Sequence, residues 1–219
     1  MPGHHCLTRK NTLGINLNAL RFTKEFEEEF DFYPKTYLYP KDRARLKKEW
    51  DGNTVLIVKP EASCQGKGIY LTREIDDICE EHCVVQEYID KPFLMEKMKF
   101  DLRLYVLVVG VNPLRAYLSR EGLARLSTKM YDEVNEENLD DMMMHLTNYS
   151  INKNSTKFMP NRAAIVDSVG HKRSLKYTLK FLKKTEGQDA DKLMDQIKDI
   201  ICKTLVAAQP SLDHVYKSI

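Results

Sequence analysis

Lys59, Gly66, Gly68, Lys99, Asp101 and Arg103 are the residues whose types and spacing could do chemistry, and the chemistry they suit is the handling of anions. The run Val55-Leu56-Ile57-Val58-Lys59-Pro60-Glu61-Ala62-Ser63-Cys64-Gln65-Gly66-Lys67-Gly68-Ile69 reads as a buried strand, a polar glycine-bearing turn and a second strand. A strand ending in lysine can hold an ammonium against phosphate oxygens, and glycine lets backbone N–H groups approach the same anion. The order excludes two common nucleotide loops. A protein kinase sets its glycine loop ahead of the strand lysine, and a Walker loop needs Gly-Lys-Ser/Thr opening a helix. Here Gly66-Lys67-Gly68 follows the lysine and leads into a strand. Taken alone, that glycine pair is more often a hairpin turn than a phosphate cradle.

Lys99, Asp101 and Arg103 alternate with Phe100, Leu102 and Leu104, so the two-residue period puts the three polar groups on one face and the apolar ones on the other. A solvated sheet face explains that alternation as well as a site does, although an acid between two bases suits an anionic substrate and a bound cation. Val84-Val85-Gln86-Glu87-Tyr88-Ile89 is a strand running into Asp90 and Pro92, where backbone groups could face an adenine edge or simply end the strand.

These segments need elements to position them. Leu13, Leu17 and Leu20 recur at helical spacing, predicting one amphipathic helix over residues 12 to 30, followed by an aromatic, proline-punctuated connector from Phe32 to Pro40. Strands are expected over Thr54–Lys59, Gly68–Thr72 and Cys83–Ile89, with a helix over Glu74–Glu81. A second β unit opens with Phe100–Val111, a turn at Asn112-Pro113 and a strand over Leu114–Ser119. Leu175, Leu179 and Leu182, then Leu193, Ile197, Ile201 and Leu205, predict two closing helices. At 219 residues the chain has room for one large domain or two small ones, and 42% hydrophobic against 30% charged residues excludes disorder as its main state. Its longest apolar run, Leu104 to Val111, is far short of the ~20 residues of a membrane span, and no secretory leader is legible at its start. Five scattered cysteines read as reduced thiols, and Cys79, His82 and Cys83 lack a second ligand pair at zinc-site spacing. A net charge of +2 offers no global field for nucleic acid, so any charge logic is local.

It is the joint order of six motifs that resembles the tubulin tyrosine ligase-like family, which has an ATP-grasp fold. They are Lys59-Pro60, Gln65-Gly66-Lys67-Gly68-Ile69, Gln86-Glu87-Tyr88-Ile89, Lys99-Phe100-Asp101-Leu102-Arg103-Leu104-Tyr105-Val106-Leu107, Arg120-Glu121-Gly122-Leu123-Ala124-Arg125 and His145-Leu146-Thr147-Asn148-Tyr149-Ser150. The resemblance covers essentially the whole chain and is closest to the polyglutamylase branch. It implies an α/β fold of two small subdomains with ATP between them: an N-terminal remnant over 1–40, a central subdomain over 41–95 and a C-terminal one over 96–219. Lys59 and the loop Gln65, Gly66, Lys67, Gly68 and Ile69 would hold phosphates. Gln86, Glu87, Tyr88 and Ile89 would line the adenine pocket, and Lys99, Phe100, Asp101, Thr147 and Asn148 would complete the ATP site. Arg125, Tyr149, Ser150 and Lys172 would hold the incoming glutamate, with Arg103 and Arg125 catalytic.

In family terms ATP phosphorylates a carboxylate of a tubulin tail, and the amine of free glutamate displaces the phosphate to form an isopeptide bond. Elongation of side chains on α-tubulin is the expected variant. The implied partners are tubulin tails and microtubules, with neither nucleic acid nor membrane, in a monomer at the cytoplasmic microtubule cytoskeleton, cilium or basal body. The family's Mg²⁺ ligands lie on later strands, so the principal ones are expected beyond Ile219; Glu133-Val134-Asn135 precedes the His145 motif and is rejected as their equivalent. The chain is thus expected to be truncated at both ends, with catalysis impaired. Two alternatives stand beside this reading. One is a non-catalytic microtubule or tubulin-tail binding module using the basic segment His171 to Lys184, whose lysines would equally suit a solvated helix face; the other is ligation of glycine or tyrosine.

Overall fold

A computed structural model describes residues 2–61, 65–79, 81–160 and 169–218, in two units. Ala62, Ser63 and Cys64 of the expected loop, and Arg162, lie outside the described residues. The first unit runs to Asp90 and includes Val111–Leu114 and the chain from Asp199; the second comprises Lys91–Gly110 and Arg115–Lys198.

In the first unit the elements are α1 (His5–Thr8), α2 (Lys10–Arg21), β1 (Thr36–Tyr39), α3 (Arg43–Glu49), β2 (Leu56–Pro60), β3 (Tyr70–Thr72) and β4 (Cys83–Glu87). The strands form one sheet in the order β1-β4-β2-β3, every pairing antiparallel. Val58 faces Val85 and Tyr70, while Ile57 faces Gln86, which faces Thr36 on β1. Side chains alternate, so one face carries Tyr37, Leu56, Val58 and Val85, closed by Leu46 of α3 with Ile75 and Ile78. The register puts Thr36, Ile57, Lys59 and Gln86 on the other face, where Asn18 of α2 donates to the Thr36 carbonyl at 2.9 Å. Leu17 packs with Phe30 and Ala207.

Three local expectations are corrected. The helix expected to reach residue 30 ends at Arg21, because Glu25 and Glu27–Glu29 would crowd acids at its negative C-terminal end. The aromatic connector contains β1, whose buried Tyr37 and Tyr39 supply the core; the prolines at 34 and 40 bracket it, and it lies at the sheet edge, where proline is tolerated. The helix over Glu74–Glu81 is a single 3₁₀ turn, Ile75–Asp77, too short a segment to offset helix nucleation.

The second unit contains β5 (Leu94–Met95), β6 (Met98–Val111), β7 (Leu114–Met130), α4 (Met142–His145), α5 (Tyr149–Asn152), β8 (Lys172–Ser174) and α6 (Leu175–Glu186), followed by α7 (Ala190–Lys217). Its strands are ordered β5-β6-β7-β8. Phe100 and Leu102 pack with Met95, Ala124, Leu126 and Phe181, so the apolar face of β6 is the covered one. Helix α6 starts where the Ser174 hydroxyl accepts the Tyr177 N–H at 3.0 Å and stops at Gly187, whose φ of 63° suits a residue without a side chain. Two antiparallel sheets with flanking helices make the fold mixed α/β and ATP-grasp-like. No helix among the described residues is long and apolar enough to cross a membrane.

Strand β7 runs eleven residues past the expected end at Ser119, carrying the Arg120–Arg125 motif against β6. A Cβ at Gly122 would lie 3.0 Å from the Arg103 carbonyl oxygen and 3.0 Å from Leu104 Cδ2. Gly122→Val is therefore expected to destabilise the chain by ~1–3 kcal/mol. Denaturant unfolding measures this, and an unchanged midpoint would contradict the close approach of the strands.

Candidate functional site

In the first unit the site is built on β2 and β4. Lys59 extends from the same face as Gln86 and donates to its Oε1, while Gln86 Nε2 donates to Thr36 Oγ1 at 2.7 Å. Burial, and then the charge of Lys10, bring the Lys59 pKa down to about 8. Lys10, at the start of α2, donates to the Pro60 carbonyl at 3.0 Å, and Asn11 beside it donates to Glu61. Two ammonium groups thus stand near the end of β2. Beyond it, Gln65, Gly66 and Gly68 all have positive φ, and Gly68 sits so close to Pro60 that a Cβ would lie 3.1 Å from its ring. Lys67, between the two glycines, is exposed, and Ile69 is half-buried and donates to the Gly66 carbonyl at 3.4 Å. On β4, Glu87 pairs with Lys35 at 3.2 Å, and the buried Tyr88 donates its N–H to the Val55 carbonyl at 2.8 Å. Ile89 is 57% exposed.

In the second unit Asp101 is the organising acceptor. Its carboxylate accepts Arg125 Nε at 2.8 Å and an Arg125 terminal nitrogen at 2.5 Å, and also the Thr147 hydroxyl at 2.8 Å. This bidentate pair, opposed by burial, raises the Arg125 pKa further, so its charge is permanent. Lys172 lies directly opposite Arg125 across β7 and β8, which puts the two cations on one face. The Lys172 ammonium sits 3.7 Å from the centre of the Tyr149 ring, a cation–π contact. Ser150 follows Tyr149 on α5. Arg103 stands two residues past Asp101 on β6, 6.0 Å from the Tyr105 ring centre. Lys99 lies 5.7 Å from the Tyr131 ring centre, whereas Phe100 turns into the apolar cluster.

Thr147 and Asn148 are held by a residue the sequence reading overlooked. Asn152 is buried; its Oδ1 accepts both the N–H and the hydroxyl of Thr128 at 2.8 Å, and its Nδ2 donates to Leu146 O at 2.7 Å and Asn148 O at 3.1 Å. The side chain fixes the turn that carries Thr147, Asn148, Tyr149 and Ser150. An asparagine inside a helical turn is weak evidence on its own, which is why it was not legible. Lys10 was more legible: it stands three and seven residues before Leu13 and Leu17, on the apolar stripe of α2, where a charge calls for a partner. In the basic segment, His171 and Arg173 are buried and leave the exposed patch; Arg173 is bound to Gly170 O at 2.8 Å and to Glu96 at 3.0 Å.

The cations of the first unit suit a polyanion, and those of the second suit carboxylates. Among the described residues no group of three His, Cys, Asp or Glu side chains could hold a metal, so the described donors do not fit a magnesium site and no step is routed through one. The backbone carbonyl of Glu133 accepts Asn138 Nδ2 at 2.8 Å within a turn.

The chain thus combines a mixed α/β, ATP-grasp-like fold with a lysine and glycine loop on one sheet and an acid-held arginine on the other. The model of the Tubulin-tyrosine ligase family matches residues 1–218, and the chain belongs to that family. It is similar to a probable beta-tubulin polyglutamylase of Tetrahymena thermophila, 47% identical over 99% of this chain and 18% of that protein. Tubulin polyglutamylase TTLL6 of Mus musculus is 41% identical over 98% of this chain and 26% of its own length. Tubulin polyglutamylase TTLL7 of Mus musculus is 38% identical over 99% of this chain and 24% of its own length. The chain spans a quarter or less of the length of most of these relatives.

Asn152→Ala would strand two buried Thr128 donors and release the turn. It is expected to destabilise the chain by ~2–4 kcal/mol, measured by denaturant unfolding; a loss below ~0.5 kcal/mol would mean that the turn does not depend on this clamp.

Proposed function

We propose that the chain carries the nucleotide- and glutamate-handling part of a tubulin polyglutamylase, an ATP-dependent ligase that joins glutamate to glutamate side chains of tubulin tails. The observation that carries the reading is the pair of cations, Arg125 and Lys172, facing one another across β7 and β8, with Arg125 aligned by Asp101. An incoming glutamate has two carboxylates and so uses both cations, where glycine or tyrosine offers one. Lys59 supplies an ammonium for the phosphates of ATP, supported by the loop Gln65–Ile69. Arg103, on the same face of β6 as Asp101, would stabilise the charge that develops on the reacting carboxylate. Elongation on α-tubulin is the finer form of this proposal; the printed name of the Tetrahymena relative specifies β-tubulin, so both tails belong in the assay. The setting proposed is the microtubule cytoskeleton, including cilia and basal bodies.

Labelled glutamate, glycine and tyrosine offered to microtubules with Mg-ATP test the reaction, with Lys59→Ala and Lys172→Ala beside the unsubstituted chain. Glutamate incorporation lost in both variants is expected; preferential incorporation of glycine or tyrosine would overturn the choice of substrate.

The Lys59 pKa also sets a pH dependence. Its folded value of about 8 lies below the ordinary 10.5, so the folded chain keeps the charge only below about 8, and stability rises with pH between the two values as the unfolded chain binds the extra proton. ATP affinity should therefore be highest below pH 8 and weaken as pH rises through it, whereas Lys59→Arg should flatten the profile. Calorimetric titration over that range checks both, and an unchanged affinity at high pH would remove Lys59 from the phosphate site.

A second reading is favoured by the exposure of Lys176, Lys180, Lys183 and Lys184 on α6, opposite the buried Leu175, Thr178 and Leu182. This basic stripe would attract acidic tails without catalysis. Lys176→Glu with Lys180→Glu should abolish low-salt co-sedimentation with microtubules if the stripe is the docking face; undiminished binding would exclude it.

A further inference from the structure

Lys59 donates to Gln86, Gln86 donates to Thr36, and Thr36 donates onward to Pro34. Each link has a direction. The Thr36 hydroxyl gives its one proton to the Pro34 carbonyl at 2.8 Å, so towards Gln86 it offers lone pairs alone. The carboxamide atom 2.7 Å from it must be the NH₂ group. With Nε2 fixed there, Oε1 is turned to the Lys59 ammonium. The opposite orientation would face an NH₂ group with an ammonium, donor against donor. Thr36 thereby decides which end of the Gln86 amide Lys59 meets.

We propose that Thr36 is a positioning residue for the phosphate-binding lysine, acting through the orientation of the Gln86 carboxamide. The proposal rests on the reading of Lys59 as an ATP ligand for its consequence, but not for its geometry. It also changes the part assigned to Gln86: both ends of its amide are engaged by the protein, so it serves as a link to Lys59 and not as a reader of the adenine edge.

The surroundings show what such a link opposes. Thr36 is 3% exposed and anchored independently of its hydroxyl, since its carbonyl accepts Asn18 Nδ2 and Arg45 at 2.9 Å each. The hydroxyl is thus held in place by backbone contacts that a side-chain substitution leaves intact. Among the described residues, Lys10 from α2 is the charged group that repels Lys59, while the carboxylate of Glu61, just beyond β2, is engaged by Asn11. An acceptor turned to a buried ammonium favours its protonated form against burial and a second ammonium nearby. A carboxamide oxygen provides that acceptor without a negative charge that would compete with incoming phosphate.

The test measures Lys59 itself, without nucleotide. Acylation of the chain by a succinimidyl ester, followed by peptide mass spectrometry across pH 6 to 11, yields the Lys59 titration midpoint. Thr36→Val keeps the buried shape and removes the hydroxyl; the midpoint is expected to fall by roughly half a unit to one unit, the worth of one hydrogen bond. Thr36→Ser should restore it, while Gln86→Leu should reproduce the effect of valine. ATP affinity at pH 7.5 should fall about threefold to tenfold in Thr36→Val and recover in the serine variant. An unchanged midpoint in a folded Thr36→Val chain would overturn the proposal, and so would a serine variant that behaves like valine. Should valine prevent folding, Thr36→Ala and Thr36→Ser remain to be compared by the same midpoint. A shifted midpoint without any ATP binding by the unsubstituted chain would uphold the positioning role and reject the ATP reading instead.

Discussion

Keeping an ammonium charged inside a sheet face is the constraint on which the first unit depends. Lys59 is drawn from water by the β2–β4 pairing and pushed by Lys10, and both effects favour its neutral form. The register answers with Gln86 on the adjacent strand and Thr36 on the strand beyond, one hydrogen bond leading to the next across the sheet. The fold therefore supplies an acceptor at the place where the charge is needed. A one-residue slip of β4 would turn Gln86 to the apolar face and take the acceptor away from Lys59.

The second unit solves the complementary problem with an acid. Asp101 spends its carboxylate on Arg125 and Thr147, and in doing so aims a planar guanidinium and ties β6 to the start of the α5 turn. Removing it would leave Arg125 charged but unaligned. The same economy holds at the Glu96-Lys97 turn between β5 and β6, where both residues have positive φ and Arg173 secures Glu96. Neither residue is glycine, so the turn carries strain that the buried arginine helps to hold.

Much of this was legible in the sequence. The alternation of Lys99, Asp101 and Arg103 with Phe100, Leu102 and Leu104 predicts the two faces of β6, because a two-residue period has a direct geometric meaning. The valine- and isoleucine-rich β2 and β4 were readable for the same reason. Strand β1 was not, since proline and tyrosine read locally as a connector and only pairing with β4 makes them a strand. The chain from Lys59 to Thr36 was beyond reach: it joins residues twenty-seven and fifty positions apart, and register exists only after folding. The lysines near 172–184 read as one patch, yet Arg173 is only 4% exposed in its side chain, because a short strand precedes α6 and turns it inward.

The most direct test of the account is a crystal structure of the chain with a non-hydrolysable ATP analogue. The account predicts a phosphate oxygen at about 3 Å from Lys59 Nζ, with Gln86 still bonded to Thr36 and the glycine loop turned to the phosphates. An analogue bound with its phosphates away from Lys59, or a Gln86 amide turned to the adenine, would contradict it.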